Sequence, residues 1–161
     1  MNNTSVKKLC ALVVAFLLIF TGFTPIAHAQ ESTTTTEVYT ENGCTVTVTT
    51  VVTPLASSAR SSRSAKTSTK TATITNGTGT TVAVFSITAR FSYNGSTATC
   101  TSVSHSKTIK NNSWSFSRAI SGKSGALATG YYTVDYYQNG TKYNSVSGSI
   151  KLSCDKNGNI S

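Results

Sequence analysis

The chain is poor in acid. Five of its 161 residues are Asp or Glu, against 14 Lys and Arg. Beyond Glu41 only Asp135 and Asp155 remain. A glycosidase needs two carboxylates flanking one bond. Here Asp135 falls in a strand-like stretch and Asp155 in a terminal turn, and nothing pairs them. Histidine is scarcer still, with only His28 and His105. A Ser-His-Asp site would have to use His105, and no Gly-x-Ser-x-Gly elbow accompanies it. A Cys44–His105 pair lacks any supporting motif. Cysteine and histidine are scattered singly, which removes the clustered ligands that zinc requires. Asp155-Lys156-Asn157-Gly158-Asn159 resembles half a calcium loop without the later Glu. Gly122-Lys123-Ser124 lacks the first glycine of a phosphate loop. The expectation is no enzyme, no metal and no cofactor. A hydrolase working through His105 is the weakest alternative.

Helical periodicity is missing too, outside one apolar run. That run, Leu9–Phe20, follows Lys7 and Lys8 and precedes Ala27-His28-Ala29, a small-x-small cleavage site. It is shorter than the roughly 20 residues of a membrane span. Residues 1–29 are therefore read as a cleaved signal peptide, and the protein as secreted. No later run is long enough to cross a bilayer.

Thr and Ser dominate the chain from Gln30 onward. Residues 30–55 form an acidic, Thr-rich segment holding Glu31, Glu37 and Glu41. Val38-Tyr39-Thr40, Asn42-Gly43 and Cys44–Val52 make either a small hairpin or the first strand of the main sheet. Residues 56–70 carry Arg60, Arg63, Lys66 and Lys70 without an acid or an apolar period, which reads as a basic Ser/Arg linker. Residues 71–161 read as the β domain. Its centre is Val82–Cys100. Ala83, Phe85, Ile87, Ala89, Phe91 and Tyr93 alternate with Ser86, Thr88, Arg90 and Ser92, the period of a strand with one buried face. A two-residue turn at Asn94-Gly95 would set Phe91 opposite Ala98 and Ala89 opposite Cys100. Trp114, Phe116 and Ile120 share a face of the next strand, and Ser121–Gly125 reads as a loop. Tyr131–Tyr137, Asn139-Gly140 and a return strand make a second hairpin, with a bulge expected near Asn144-Ser145. Short strands separated by turn signals predict an all-β antiparallel sandwich of immunoglobulin-like size.

Once Cys10 leaves with the signal, Cys44, Cys100 and Cys154 remain. Cys100 and Cys154 both alternate in phase with apolar neighbours, so they are the expected disulfide, which would stabilise by about 4 kcal/mol. Cys44 is then free, intermolecular or removed by processing.

The layout of signal, Thr-rich lead, basic linker and Ser/Thr-rich β domain ending in Leu152-Ser153-Cys154-Asp155-Lys156-Asn157-Gly158-Asn159-Ile160-Ser161 resembles short exported β-rich proteins of Gram-positive bacteria. The resemblance implies export and carries no activity to any residue.

Five tyrosines, Tyr131, Tyr132, Tyr136, Tyr137 and Tyr143, crowd the second hairpin. Tyr131 and Tyr137 share one strand face and Tyr132 and Tyr136 the other. Exposed rings stack on sugars or on protein, and Lys142 and Lys151 add charge. The expected function is a secreted, non-enzymatic binding or surface domain for an anionic wall polymer, a glycan or a protein, using Tyr131, Tyr137 and Lys142. No specific nucleic acid partner is expected. The alternative is a bacteriocin-like effector freed by cleavage in the 56–70 linker.

Overall fold

The computed structural model describes residues 32–54 and 64–161. The signal-peptide reading and residues 56–63 of the linker lie outside them. The described residues form eight strands: β1 (Thr33–Glu41), β2 (Cys44–Pro54), β3 (Ser64–Thr75), β4 (Thr81–Tyr93), β5 (Ala98–Ile109), β6 (Trp114–Ser124), β7 (Leu127–Gln138) and β8 (Thr141–Ser153). They make a five-stranded sheet in the order β1-β2-β3-β4-β5 and a three-stranded sheet in the order β6-β7-β8. Every pairing is antiparallel, and the two sheets pack as a sandwich. Within each sheet every strand pairs with its neighbour in sequence, so each sheet is a meander, and the β5–β6 connection crosses from one sheet to the other.

β4 lies at the centre of the core. Ala83, Phe85, Ile87, Ala89 and Phe91 are fully buried, while Thr88 and Arg90 face solvent. The Phe85 ring lies 5.4 Å from Tyr132 and 6.4 Å from Phe116, across the gap between sheets. Gly130 of β7 lets the sheets approach there, because a Cβ would collide with Ile87 and Phe85. Gly148 of β8 likewise leaves room for the Tyr132 phenol.

The hairpin turns divide into two kinds. Asn42-Gly43 and Asn139-Gly140 have positive φ at both residues (49° and 74°, 51° and 78°), as a type I′ turn requires. β1 and β2 are thus a hairpin and also belong to the main sheet. At Asn94-Gly95 only the glycine is left-handed. The Asn94 side chain accepts from the Ser96 and Thr97 amides (3.1 and 2.8 Å), which widens the loop to four residues. The register therefore places Phe91 opposite Cys100 and Tyr93 opposite Ala98. Next to the turn it is displaced by two residues from that of a tight turn, which keeps Ala98 and Cys100 on their predicted face. A bulge between Arg90 and Phe91 then adds a third, so Ala89 lies opposite Val103 rather than Cys100 and the phase of β5 inverts beyond it.

Other expectations are corrected. The basic segment is strand from Ser64 onward. Lys66 pairs with Pro54 and Phe91, and Lys70 with Thr50 and Ile87. Its alternating Thr and Ser suit a strand with both ladders filled, although it lacks an apolar period. The Ser121–Gly125 loop is instead the end of β6 and the start of a tight turn. A bulge between Phe116 and Arg118 inverts the phase of β6, so Ile120 faces solvent at 47% exposure rather than entering the core. The bulge in β8 falls at Tyr143, one residue before the expected place.

The Cys100–Cys154 disulfide does not form; Cys44, Cys100 and Cys154 are all buried free thiols. Both strands meet the same turn, where the Cys100 amide donates to the Gly125 carbonyl and the Cys154 amide to the Ala126 carbonyl. The thiols themselves donate to carbonyls of their own chain segments, Cys100 to Ser102 (3.3 Å) and Cys154 to Asp155 (3.4 Å). Burial pushes all three thiols up in pKa, with Glu41 adding to the effect at Cys44 and Asp155 at Cys154.

Candidate functional site

β7 alternates with little interruption. Ala128, Gly130, Tyr132 and Val134 face the core, and Thr129, Tyr131, Thr133, Asp135 and Tyr137 face away from it. The structure thus places Tyr131 and Tyr137 on one outer face, 40% and 37% exposed. They are six residue steps apart along the strand, which is about 20 Å.

Their surroundings differ. Tyr131 lies opposite Ile120 on β6 and Ser149 on β8. The Arg118 guanidinium sits 5.0 Å from the centre of its ring. The result is an exposed patch of ring, branched alkyl and cation. Tyr137 lies opposite Lys142. Lys142 is committed elsewhere: its ammonium pairs with the Asp135 carboxylate at 2.9 Å.

Asp135 is the one buried acid of this face, 2% exposed. Burial raises its pKa. The hydrogen bonds from Ser145 (2.6 Å), Lys142 and Ser117 outweigh that and hold it below the ordinary carboxylate range. Asp135 therefore fixes Lys142 against the sheet, and it is the bulged Ser117 that completes its shell.

At the β7–β8 turn, an open depression of about 490 Å³ is lined by Asn42, Lys142, Tyr143, Asn144 and Ser145. The bulge turns Tyr143 outward, 76% exposed, edge-on to Tyr136 at 6.1 Å. Tyr136 in turn packs on Trp114 at 5.1 Å. Asn42 comes from the β1–β2 turn and is tied in both directions. Its side chain donates to the Ser145 carbonyl (2.7 Å), and Asn144 donates to the Asn42 carbonyl (2.9 Å).

Three residues of this surface escape sequence reading. Ile120 and Arg118 reach the patch only through the Ser117 bulge, and Asn42 arrives from far along the chain. The crowding of tyrosines on one hairpin is the only signal.

Among the described residues His105 has a partner but no triad. His105 Nδ1 and Ser121 Oγ are 3.0 Å apart on exposed strand edges. Asp135 is held by Lys142, and Asp155 accepts from Asn157 and Asn159 of its own turn. Among the described residues, no three His, Cys, Asp or Glu side chains converge as metal ligands. No helix among them is long and apolar enough to cross a membrane.

The fold and this face define an antiparallel β-sandwich with an aromatic and cationic outer sheet surface. Compared with family models, curated proteins and solved structures, the chain matches none.

Proposed function

We infer that the protein is a secreted, non-enzymatic binding domain, one of the short exported β-rich proteins of Gram-positive bacteria, and that its ligand is an anionic glycan of the wall. The observation that carries this reading is the Tyr131–Arg118–Ile120 patch on the outer face of β6, β7 and β8. An exposed ring stacks on the apolar face of a sugar, and the guanidinium beside it offers a planar fork to a phosphate or carboxylate. Tyr137, Lys142 and the Tyr143 depression extend the surface along the hairpin. The net charge is +9 for the whole chain and +7 once Lys7 and Lys8 leave with the signal, which favours a polyanion over a neutral glycan.

The effector alternative is less well supported. Lys66 and Lys70 lie inside β3, whose two neighbours are both paired to it, so a trypsin-like protease finds no loop there. Removing everything before Ser64 would also strip β2 from Ala72 and Ile74, both fully buried.

Co-sedimentation with purified cell walls tests the reading. The protein should pellet with intact walls, release as salt rises, and pellet less after the anionic polymers are extracted. Equal pelleting with extracted walls would reject the anionic ligand. Unchanged pelleting of Tyr131→Ala would reject the site.

A further inference from the structure

β1 is an edge strand with an open side. Its type I′ turn makes Glu41 and Cys44 a hydrogen-bonded pair, so bonded pairs recur at Tyr39–Val46, Glu37–Val48, Thr35–Thr50 and Thr33–Val52. The amides and carbonyls of Thr34, Thr36, Val38 and Thr40 therefore point away from β2, and no described residue pairs with them. The strand is exposed along its whole length except at Glu41, with Val38 at 61% and Tyr39 at 39%. It also lacks the usual protections of an edge: it has no proline, no lysine and no bulge.

We propose that this edge pairs with the same edge of a second copy, antiparallel about a two-fold axis at Val38, joining the two five-stranded sheets into one. Charge selects the register. Only even displacements match outward amides with outward carbonyls. Centring the axis on Glu37 would set the two Glu37 carboxylates opposite each other, and centring it on Tyr39 would set Glu37 opposite Glu41. Like charges in those positions destabilise a sheet. Centring on Val38 sets Glu37 opposite Tyr39 and Glu41 opposite Thr35, with no facing acids. Val38 then pairs with Val38, and Thr36 with Thr40. Centring on Thr36 also avoids facing acids among the described residues, but it sets the exposed Val38 opposite Thr34 and Tyr39 opposite Thr33, so no apolar pair meets across the joint. The hydroxyl row Thr36, Thr49, Thr71, Ser86, Ser106 would continue across the joint into the Thr40, Thr45, Thr75, Thr81 row of the second copy. One strand pair is a small interface, so the dimer belongs to the weak, concentration-dependent class.

Sedimentation equilibrium over a wide concentration range, with the chain as isolated from its producing cells, should show a reversible monomer–dimer transition. Val38→Pro removes an amide that β2 does not use, and Val38→Lys sets two ammonium groups on the axis. Both should leave a monomer with an unchanged circular dichroism spectrum. Under oxidation Val38→Cys should form a cross-linked dimer, and Glu37→Cys should not. A dimer that persists in both Val38→Pro and Val38→Lys overturns the proposal. So does efficient cross-linking through Glu37→Cys but not Val38→Cys. A wild-type monomer at every concentration also overturns it, whether the Val38 amide exchanges freely or is protected by another part of the same chain.

Discussion

On the outer face of the five-stranded sheet the rows read Thr36, Thr49, Thr71, Ser86, Ser106 and Thr34, Val51, Thr69, Thr88, Ser104. On the outer face of the three-stranded sheet they read Ile120, Tyr131, Ser149 and Arg118, Thr133, Ser147. The alternation is the same, and the chemistry differs. In the large sheet the hydroxyls partner one another across strands, Thr69 with Thr88 at 3.0 Å and Thr71 with Ser86 at 2.8 Å. Short, neutral Thr, Ser and Val side chains hold register along these rows, with Arg90 exposed on the same face. In the small sheet a bulge and a buried acid raise rings and cations above the surface. The two outer faces thus differ in chemistry while sharing one core.

The largest test acts on that joint. Phe85 belongs to the large sheet, but its ring packs on Tyr132 and Phe116 of the small one. Phe85→Ala should cost about 3–5 kcal/mol, read from the denaturant midpoint. Because both faces depend on this contact, they should unfold in a single transition. Two separate transitions would mean that the sheets are independent and that the comparison is between two units rather than two faces.

Next comes Asp135, the acid that only the small sheet's outer face holds. Asp135→Asn should cost about 1–2 kcal/mol near neutral pH, as hydrogen bonds to a charged group are lost while Lys142, half exposed, returns to water. The sign with pH comes from the depressed folded pKa. The contribution is fully present above the unfolded value of 3.8 and is lost as pH falls through the lower folded value. The stability gap between wild type and Asp135→Asn should therefore close on acidification from about pH 5 toward pH 2. A gap that stayed constant would mean that the carboxylate's charge contributes nothing.

What is legible in the residues obeys the same division. The β4 alternation, the Asn42-Gly43 and Asn139-Gly140 turns and the shared face of Tyr131 and Tyr137 can be read directly, because period two fixes a face whatever the register; Asn94-Gly95 reads as the same tight turn but opens into a four-residue loop. β3 is only half legible, since its interior position is set by its neighbours and its own Lys and Thr resemble a linker. Alternation alone puts Ile120 in the core, because a bulge inverts phase without leaving a residue signature. The Cys100–Cys154 bridge fails for a related reason: both cysteines do meet one turn, but sharing a face does not aim two thiols at each other. Lys142 reads as a free cation in the sequence. Its partner Asp135 lies seven residues back and meets it only because the hairpin folds over.

A smaller effect should separate the faces functionally. Tyr131→Ala and Arg118→Ala should each weaken wall binding by up to about tenfold, on the scale of an exposed cation–aromatic contact. The two losses should combine less than additively, because the guanidinium lies against the ring. Strict additivity would indicate that the two side chains meet the ligand at separate places.

The smallest expected change is the sharpest control. Thr71→Val keeps the branched shape that suits a strand and removes one hydroxyl, whose partner Ser86 is still partly open to water. Stability should move by no more than about 0.5 kcal/mol. Wall binding should not move at all, because Thr71 sits on the opposite outer face from Tyr131. If Thr71→Val weakened binding while Tyr131→Ala did not, the ligand would be read by the hydroxyl rows. The proposed assignment of recognition to the small sheet would then be reversed.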